Sequence, residues 1–173
     1  MPLKKFLIVD GYNIIYAWPE LEELSKLSLE TARQSLMDTL SNYKGISDET
    51  VILVFDGYLV KGSTGTVCEY KNIYVVYTKE AETADHYIER TVSNIPKEYY
   101  VSVATNDGLE QTIILGKGAM RLTAKELKTR IKHEEEYIRK HYTQKRPPKN
   151  NMLIDNVDAQ TLEWLEMMRR KKE

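Results

Sequence analysis

The sequence predicts an α/β fold in which a mostly parallel central sheet has helices on both faces, giving three layers. Four short runs of apolar and β-branched residues recur along the chain, and the segments between them have helical periodicity. The apolar runs are continuous rather than alternating, which is typical of strands buried on both faces. Strands that alternate with helices favour parallel pairing, because a parallel connection needs a long crossover.

The strands and helix starts can be assigned in chain order. The predicted strands are FLIV, VILVF, IYVVY and YVSVA, at residues 6–9, 51–55, 73–77 and 100–104. Side chains that accept hydrogen bonds from the first turn of a helix mark where helices begin. The predicted helix starts are at Ser28, at Thr83, at Asp107 with Glu110 as a capping box, and at Thr123 with Glu126 as a second capping box.

Two segments depart from this alternation. Residues 56–72 are rich in glycine and hydroxyl side chains and are predicted to form a long connection. Residues 143–151 contain a Pro-Pro pair that stops a helix. We therefore predict one domain over residues 1–142, followed by a linker and an amphipathic helical tail over 143–173, with Leu162, Leu165 and Met168 on its apolar face.

Composition limits the class of protein. The only cysteine, Cys68, cannot form an internal disulfide, and no Cys/His cluster has zinc spacing, which favours a reducing compartment. The apolar run near the N-terminus is interrupted by Asp10 and is too short for a membrane span. We expect a cytoplasmic protein with no membrane partner. The sequence does not indicate an oligomeric state.

Charge is unevenly distributed, although the net charge is only −1. Residues 1–116 carry 10 basic and 17 acidic side chains, whereas residues 117–149 carry 11 basic and 4 acidic. An acidic site beside a basic face suits a metal-dependent enzyme that acts on a polyanion. A solvated basic helix explains the same pattern equally well.

Four aspartates are expected at one edge of the sheet. Asp10 and Asp56 directly follow the first two strands, Asp107 follows the strand at 100–104, and Asp85 lies at the start of a helix. Ligands of open parallel sheets bind beyond the carboxyl ends of the strands. Each aspartate also has a structural explanation: Asp107 as an N-cap, Asp56 in an Asx-turn, and Asp85 interacting with a helix dipole.

The coincidence of these carboxylates favours a metal site. Clustered carboxylates repel one another, and burying them is costly unless a cation is present. Mg²⁺ or Mn²⁺ suits oxygen-only ligands and commonly bridges to phosphate, so phosphodiester hydrolysis is the chemistry that this pattern suggests. Asn13, close to Asp10, is a candidate to hold a carboxylate or a phosphate, and a loop-to-helix cap is the alternative.

Five ordered blocks resemble the YacP-like family of NYN domains, a branch of the PIN-like nucleases. They are IVDGYNIIYAWPEL at 8–21, VFDGYLVKG at 54–62, TKEAETADHYIER at 78–90, VATNDGLEQ at 103–111 and GKGAMRLTAKEL at 116–127. The resemblance spans roughly residues 6–142. It implies a PIN-like, Rossmann-type fold and a divalent-metal-dependent endoribonuclease that cuts mRNA in the ribosomal A site.

The resemblance also implies roles for individual residues. Asp10 and Asp85 are expected to be catalytic metal-binding carboxylates, with Asp56 and Asp107 completing the acidic pocket, Asp107 as a further metal ligand, and Asn13 supporting it. Asn106 stands where we expect serine in this family. The residues expected to contact mRNA or ribosomal RNA are Lys61, Arg121, Lys125, Lys128, Arg130 and Lys132.

Two other function classes compete with a nuclease. A non-catalytic RNA- or ribosome-binding module of the same fold would use the basic segment and need no metal. A small-molecule phosphohydrolase is disfavoured, because the chain lacks a second aspartate two residues after Asp10 and has no glycine-rich phosphate loop.

Overall fold

The computed structural model describes residues 3–59, 65–142 and 158–171. Its strands are β1 (Lys5–Asp10), β2 (Thr50–Phe55), β3 (Thr66–Tyr70), β4 (Ile73–Tyr77), β5 (Tyr100–Ala104) and β6 (Met120–Leu122). Its α-helices are α1 (Gly11–Ala17), α2 (Pro19–Leu27), α3 (Leu29–Ile46), α4 (Ala84–Asn94), α5 (Gly108–Gly116), α6 (Ala124–Tyr142) and α7 (Ala159–Arg170). A 3-10 turn, Gly57–Leu59, follows β2.

The strands form one sheet in the order β3-β4-β2-β1-β5-β6. All neighbours are parallel except β3, which runs antiparallel to β4. The predicted mostly parallel three-layer fold is confirmed. Its four central strands are the four apolar runs of the sequence, and β3 and β6 are additional edge strands.

The prediction of a long connection over residues 56–72 is wrong for Thr66–Tyr70, because these residues form strand β3. This strand lies at the edge of the sheet and its side chains are exposed or half-buried, so it lacks the continuous apolar pattern of the central strands. Lys71, with a φ of 52°, makes the tight turn into β4. Residues 60–64 of this segment, including Lys61, lie outside the described residues.

Two apolar cores sandwich the sheet. Successive side chains of a strand point to opposite faces, so Leu7 and Val9 enter one core while Phe6 and Ile8 enter the other. Helices α1, α2, α3 and α6 contribute to the first core, and α4, α5 and α7 to the second. This explains why the apolar runs are continuous.

The segment around Leu162, Leu165 and Met168 forms helix α7, which packs into the second core. Leu165 and Met168 are buried there. The hydroxyl of Tyr87 on α4 donates to the carbonyl of Leu165 (2.9 Å), and Arg90 donates to the carbonyl of Met168 (2.8 Å). The predicted linker at 143–151 lies outside the described residues, and the division of the chain at residue 142 stays a prediction.

The helix starts largely follow the sequence. Ser28 and Thr83 cap α3 and α4, and Thr123 and Glu126 form the reciprocal capping box before α6. None of the helices that the structure describes is long and apolar enough to cross a membrane.

Candidate metal centre

The candidate site begins where β1 passes directly into α1. β1 ends at Asp10 and α1 starts at Gly11, with no intervening loop. A Cβ atom at Gly11 would lie 2.3 Å from Cε1 of Phe55 and 3.0 Å from the carbonyl oxygen of Val54. Only glycine fits this close approach of the helix to β2. The Asp-Gly pair therefore holds the Asp10 carboxylate at the end of the strand.

Three carboxylates meet at the carboxyl edge of the sheet. Asp10 comes from the end of β1, Asp85 from the first turn of α4 and Glu110 from the first turn of α5. One carboxylate oxygen from each residue lies within 4.8 Å of the other two. Asp10 and Glu110 are buried, with exposed fractions of 7% and 5%, whereas Asp85 is more exposed. The group therefore has two inner members and one on the solvent side.

Two of the three carboxyl groups have raised pKa values. Burial, and then the charge of Asp85, raises the pKa of Asp10 to about 7. Burial, and then the charge of Asp10, raises the pKa of Glu110 to about 9. Both carboxylate oxygens of Glu110 are buried without a hydrogen-bond donor among the described residues. A group of carboxylates whose raised pKa values reflect uncompensated negative charge fits a divalent cation, because the cation satisfies the oxygens and offsets their repulsion.

Glu110 is the residue that sequence reasoning missed. It lies three residues after Asp107 and matches a capping box, in which its side chain would turn back to the start of the helix. In the structure, Oδ1 of Asp107 alone caps α5, accepting from the backbone N–H groups of Leu109 (2.9 Å) and Glu110 (3.1 Å). The Glu110 side chain is thus free to turn inward to Asp10.

Asp107 and Asp56 have the local roles that their sequence contexts offered as alternatives. Asp107 is an exposed N-cap and is not a member of the three-carboxylate group. Asp56 accepts a hydrogen bond at Oδ1 from the backbone N–H of Tyr58 (3.0 Å), which forms an Asx-turn at the same edge of the sheet. Participation of either aspartate in catalysis stays a prediction.

Asn13 ties together the loops around the group. Its Oδ1 accepts a hydrogen bond from the backbone N–H of Asn106 (2.6 Å), in the loop that leads to α5. The side chain of Asn106 accepts in turn from the backbone N–H of Ala124 (2.7 Å), at the start of α6. The carbonyl of Thr105 accepts from Nε2 of Gln111 (2.6 Å). Asn13 therefore fixes the loop that leads into α5, whose first turn carries Glu110, and its supporting role in the site stays a prediction.

A second set of contacts fixes the loop before Asp85. Glu82 forms an ion pair with Arg90, and its carbonyl accepts a hydrogen bond from Thr78 (2.6 Å). Arg90 also donates to the carbonyl of Met168, so helix α7 supports the same loop. Thr83 caps α4 two residues before Asp85. Asp85, the most exposed of the three carboxylates, therefore follows a loop that is held by these contacts.

Comparison with known proteins assigns the family. The model of the YacP-like NYN domain family matches residues 7–170. The chain belongs to this family. The resemblance seen in the sequence is therefore confirmed, and the match includes α7. NYN domains are part of the PIN-like nuclease superfamily, which supports a nuclease as the functional class of this YacP-like domain.

Relatives from Bacillus subtilis agree in sequence and in structure. The chain is 41% identical to the uncharacterized protein YacP of Bacillus subtilis over 135 residues, covering 76% of this chain and 78% of that protein. A crystal structure of Rae1 (YacP) from the same organism matches with a TM-score of 0.68 at 38% identity, over 80% of each chain. A mutant form of that protein matches with a TM-score of 0.67 at 32% identity, over 94% of this chain and 98% of that one.

Three of the predicted RNA-contacting residues of this YacP-like domain are exposed. Lys125 and Lys132 lie on the exposed surface of α6, seven residues apart, and Arg121 lies on β6. Arg121 also donates to Oε1 of Gln111 (3.0 Å), whose amide binds the Thr105 carbonyl. Arg121 is therefore connected through Gln111 to the loop that leads into α5.

The other two described basic residues already have acidic partners. Lys128 pairs with Glu20 and lies 5.6 Å from the ring of Trp18. Arg130 pairs with Glu49 (3.0 Å), the residue directly before β2, so it lies at the amino edge of the sheet, opposite the carboxylate group. No local sequence pattern indicates these pairings, because the partners are 108 and 81 residues apart in the chain.

Proposed function

We propose that this YacP-like domain is a divalent-metal-dependent endoribonuclease that hydrolyses mRNA phosphodiester bonds in the ribosomal A site. The observation that carries the proposal is the group of Asp10, Asp85 and Glu110 at the carboxyl edge of a nuclease-family sheet. Mg²⁺ or Mn²⁺ is the proposed cofactor, because these ions take carboxylate ligands and keep waters that bridge to phosphate.

The three carboxylates would hold the metal, and each has a distinct part in the site. A bound divalent ion supplies the positive charge that makes water more acidic and stabilises the leaving oxygen. Asp10 and Glu110 lie on the inner side, where burial excludes bulk water. Asp85 lies on the more exposed side, which a phosphodiester would approach. Three bare carboxylates would repel RNA, so we expect RNA to bind productively only once the cation is present.

RNA contacts complete the proposal. Lys125, Lys132 and Arg121 are exposed and can reach phosphates, which bind cationic side chains with strong salt dependence. Lys128 and Arg130 remain proposed contacts that would exchange their present partners for phosphate, and Lys61 completes the set. Tyr58, 73% exposed beside Asp56, is placed to stack on an unpaired base.

The ribosomal substrate is supported by the family and by the basic segment at residues 117–149, which suits a surface covered with RNA. Action on translated mRNA places the protein in the cytoplasm. The predicted catalytic roles of Asp56, Asp107 and Asn13 are part of this proposal, with Asn13 acting through the loop that it holds.

The test compares translating ribosomes with the same mRNA free in solution, in Mn²⁺, Mg²⁺ or EDTA, and maps the new 5′ ends. We expect discrete cuts on ribosomes that disappear in EDTA and in Asp85→Asn. The matched control is Asp48→Asn, an exposed aspartate that pairs with Lys5 at the amino edge of the sheet and should leave cleavage unchanged. Cleavage by Asp85→Asn at the wild-type rate would place the chemistry elsewhere, and equal cleavage of free mRNA would remove the ribosome from the proposal.

The competing function is a non-catalytic RNA- or ribosome-binding module, which the basic segment favours. It predicts that the protein sediments with ribosomes in EDTA and never cleaves. Charge reversal of Arg121, Lys125 and Arg130 would then abolish sedimentation with ribosomes, and unchanged binding by this triple variant would count against the module.

A further inference from the structure

We propose that the outer face of α5 is a two-fold interface at which a second copy of this chain binds. This outer face consists of Gly108, Leu109, Thr112, Ile113, Leu115 and Gly116, and it has no charged side chain. Leu109 and Leu115 are 73% and 52% exposed. A contiguous apolar helix face on the surface is typical of a protein interface.

The two glycines of this face are not required by the fold of the chain itself. A Cβ atom at Gly108 or Gly116 would meet no atom within 4 Å, and neither residue has a positive φ. The left-handed turn after the helix is made by Gly118, with a φ of 84°. Glycine lowers helix stability relative to alanine, so two such residues on one exposed face need another reason. Close approach by a second helix supplies it, because small residues let helix backbones come together.

The order of residues along the face makes a second copy the fitting partner. Three pairs of residues are placed symmetrically about Thr112: glycine stands four residues away on each side, leucine stands three away, and opposite charges stand five away, whereas the residues one and two positions away do not correspond. If two copies of α5 cross antiparallel at Thr112, Gly108 meets Gly116 of the second copy and Leu109 meets its Leu115. An interface of this kind is isologous, since each contact occurs twice.

Charge at the two ends of α5 supports the antiparallel arrangement. Asp107 lies at the N-terminal end, and Lys117 lies at the C-terminal end, where its Nζ donates to Ser93 (2.7 Å) and lies 3.4 Å from Glu89, a partner that it would exchange or share on pairing. In the pair, Asp107 of one copy faces Lys117 of the other, and the helix dipoles run in opposite directions. A parallel arrangement would bring like charges together. One nine-residue helix from each copy makes a small interface compared with the roughly 800 Å² per partner of a stable one, so we expect a dimer with a Kd of the order of 10 µM or weaker.

The test measures mass and cross-linking as the concentration of the full chain rises. The mass should increase from the 20.2 kDa of one chain toward twice that value. Thr112→Arg should abolish this increase, because it brings two guanidinium groups together at the two-fold axis. The matched control is Thr129→Arg on α6: both threonines are exposed, and each donates its hydroxyl to the carbonyl four residues earlier (2.9 and 3.0 Å).

Two further variants separate the interface from a change in folding. In a Cys68→Ser background, Thr112→Cys should form a disulfide-linked dimer, whereas Thr129→Cys should not. Gly116→Ala should raise the melting temperature of the monomer while weakening the dimer, two effects that a merely solvent-exposed glycine would not combine. A mass of one chain at every concentration, or equal cross-linking of Thr112→Cys and Thr129→Cys, would overturn the proposal.

Discussion

Replacing Glu110 by glutamine should stabilise the metal-free protein at neutral and alkaline pH. Glu110 is buried, and burial together with the charge of Asp10 raises its pKa from 4.5 to about 9. The folded protein therefore retains a proton on this carboxyl that the unfolded chain releases above about pH 4.5. Glutamine keeps a similar shape and polarity but does not titrate, so Glu110→Gln removes this cost.

The magnitude follows from the interval between the unfolded pKa and the experimental pH. At pH 7 that interval is about 2.5 pH units, and each unit corresponds to about 1.4 kcal/mol, so the cost is about 3 kcal/mol. It vanishes below about pH 4, grows as the pH rises, and reaches its full value above about pH 9, the folded pKa. For a chain of 173 residues, 3 kcal/mol corresponds to roughly 6–12 °C in melting temperature.

The assay is denaturant unfolding of the wild type and the variant in EDTA from pH 4 to pH 9. The control is Glu135→Gln, on the exposed surface of α6, which should change the free energy of unfolding by no more than about 0.5 kcal/mol. Adding Mg²⁺ or Mn²⁺ should stabilise the wild type and not Glu110→Gln, because a ligand that binds only the folded state raises stability. Equal pH dependence of the wild type and Glu110→Gln would refute the reasoning.

Three further predictions concern the same region. The affinity for Mn²⁺ or Mg²⁺ should rise with pH, and metal binding should release protons, because raised pKa values leave the buried carboxyls protonated in the metal-free state. Calorimetry in two buffers of different ionisation enthalpy measures the number of protons released. Metal binding without proton release would contradict this prediction. Gly11→Ala should destabilise the fold by about 1–3 kcal/mol or more in denaturant unfolding, because its Cβ would lie 2.3 Å from Phe55. Adding Phe55→Leu should recover part of this loss. Full stability of Gly11→Ala alone would contradict the prediction and show that helix α1 can shift. Asn13→Ala should lower the free energy of unfolding by about 1 kcal/mol and weaken Mn²⁺ binding in a titration, because the loop at Asn106 loses its 2.6 Å hydrogen bond. An unchanged affinity for Mn²⁺ would show that Asn13 contributes to folding but not to the metal site.

The elements that sequence analysis predicted are those with a strong local signal. Strands β1, β2 and β4 are buried on both faces along most of their length, and β5 over its last three residues, so their sequences are mostly apolar. β3 is an edge strand with mostly exposed side chains, and β6 has only three residues, two of them exposed. Neither contains the pattern that periodicity detects.

In the candidate site too, sequence analysis identified some residues and missed others. Asp10 and Asp85 are brought together, as the topology predicts, because parallel strands end at one edge. Sequence analysis could not identify Glu110 as a member of the carboxylate group, because a glutamate three residues after an N-cap has the same spacing whether its side chain caps the helix or turns inward. The ion pair of Arg130 with Glu49 depends on the position of α6 across the sheet, which no local pattern encodes.

The central claim is that Asp10, Asp85 and Glu110 hold a divalent ion that this nuclease-family domain needs to hydrolyse RNA. The most direct measurement is the rate of mRNA cleavage against Mn²⁺ concentration, for the wild type and Glu110→Gln side by side. We predict that wild-type cleavage saturates with Mn²⁺ and stops in EDTA, and that Glu110→Gln is slower by about 100-fold or more at any Mn²⁺ concentration. Cleavage that persists in EDTA, or a wild-type rate for Glu110→Gln, would contradict the account.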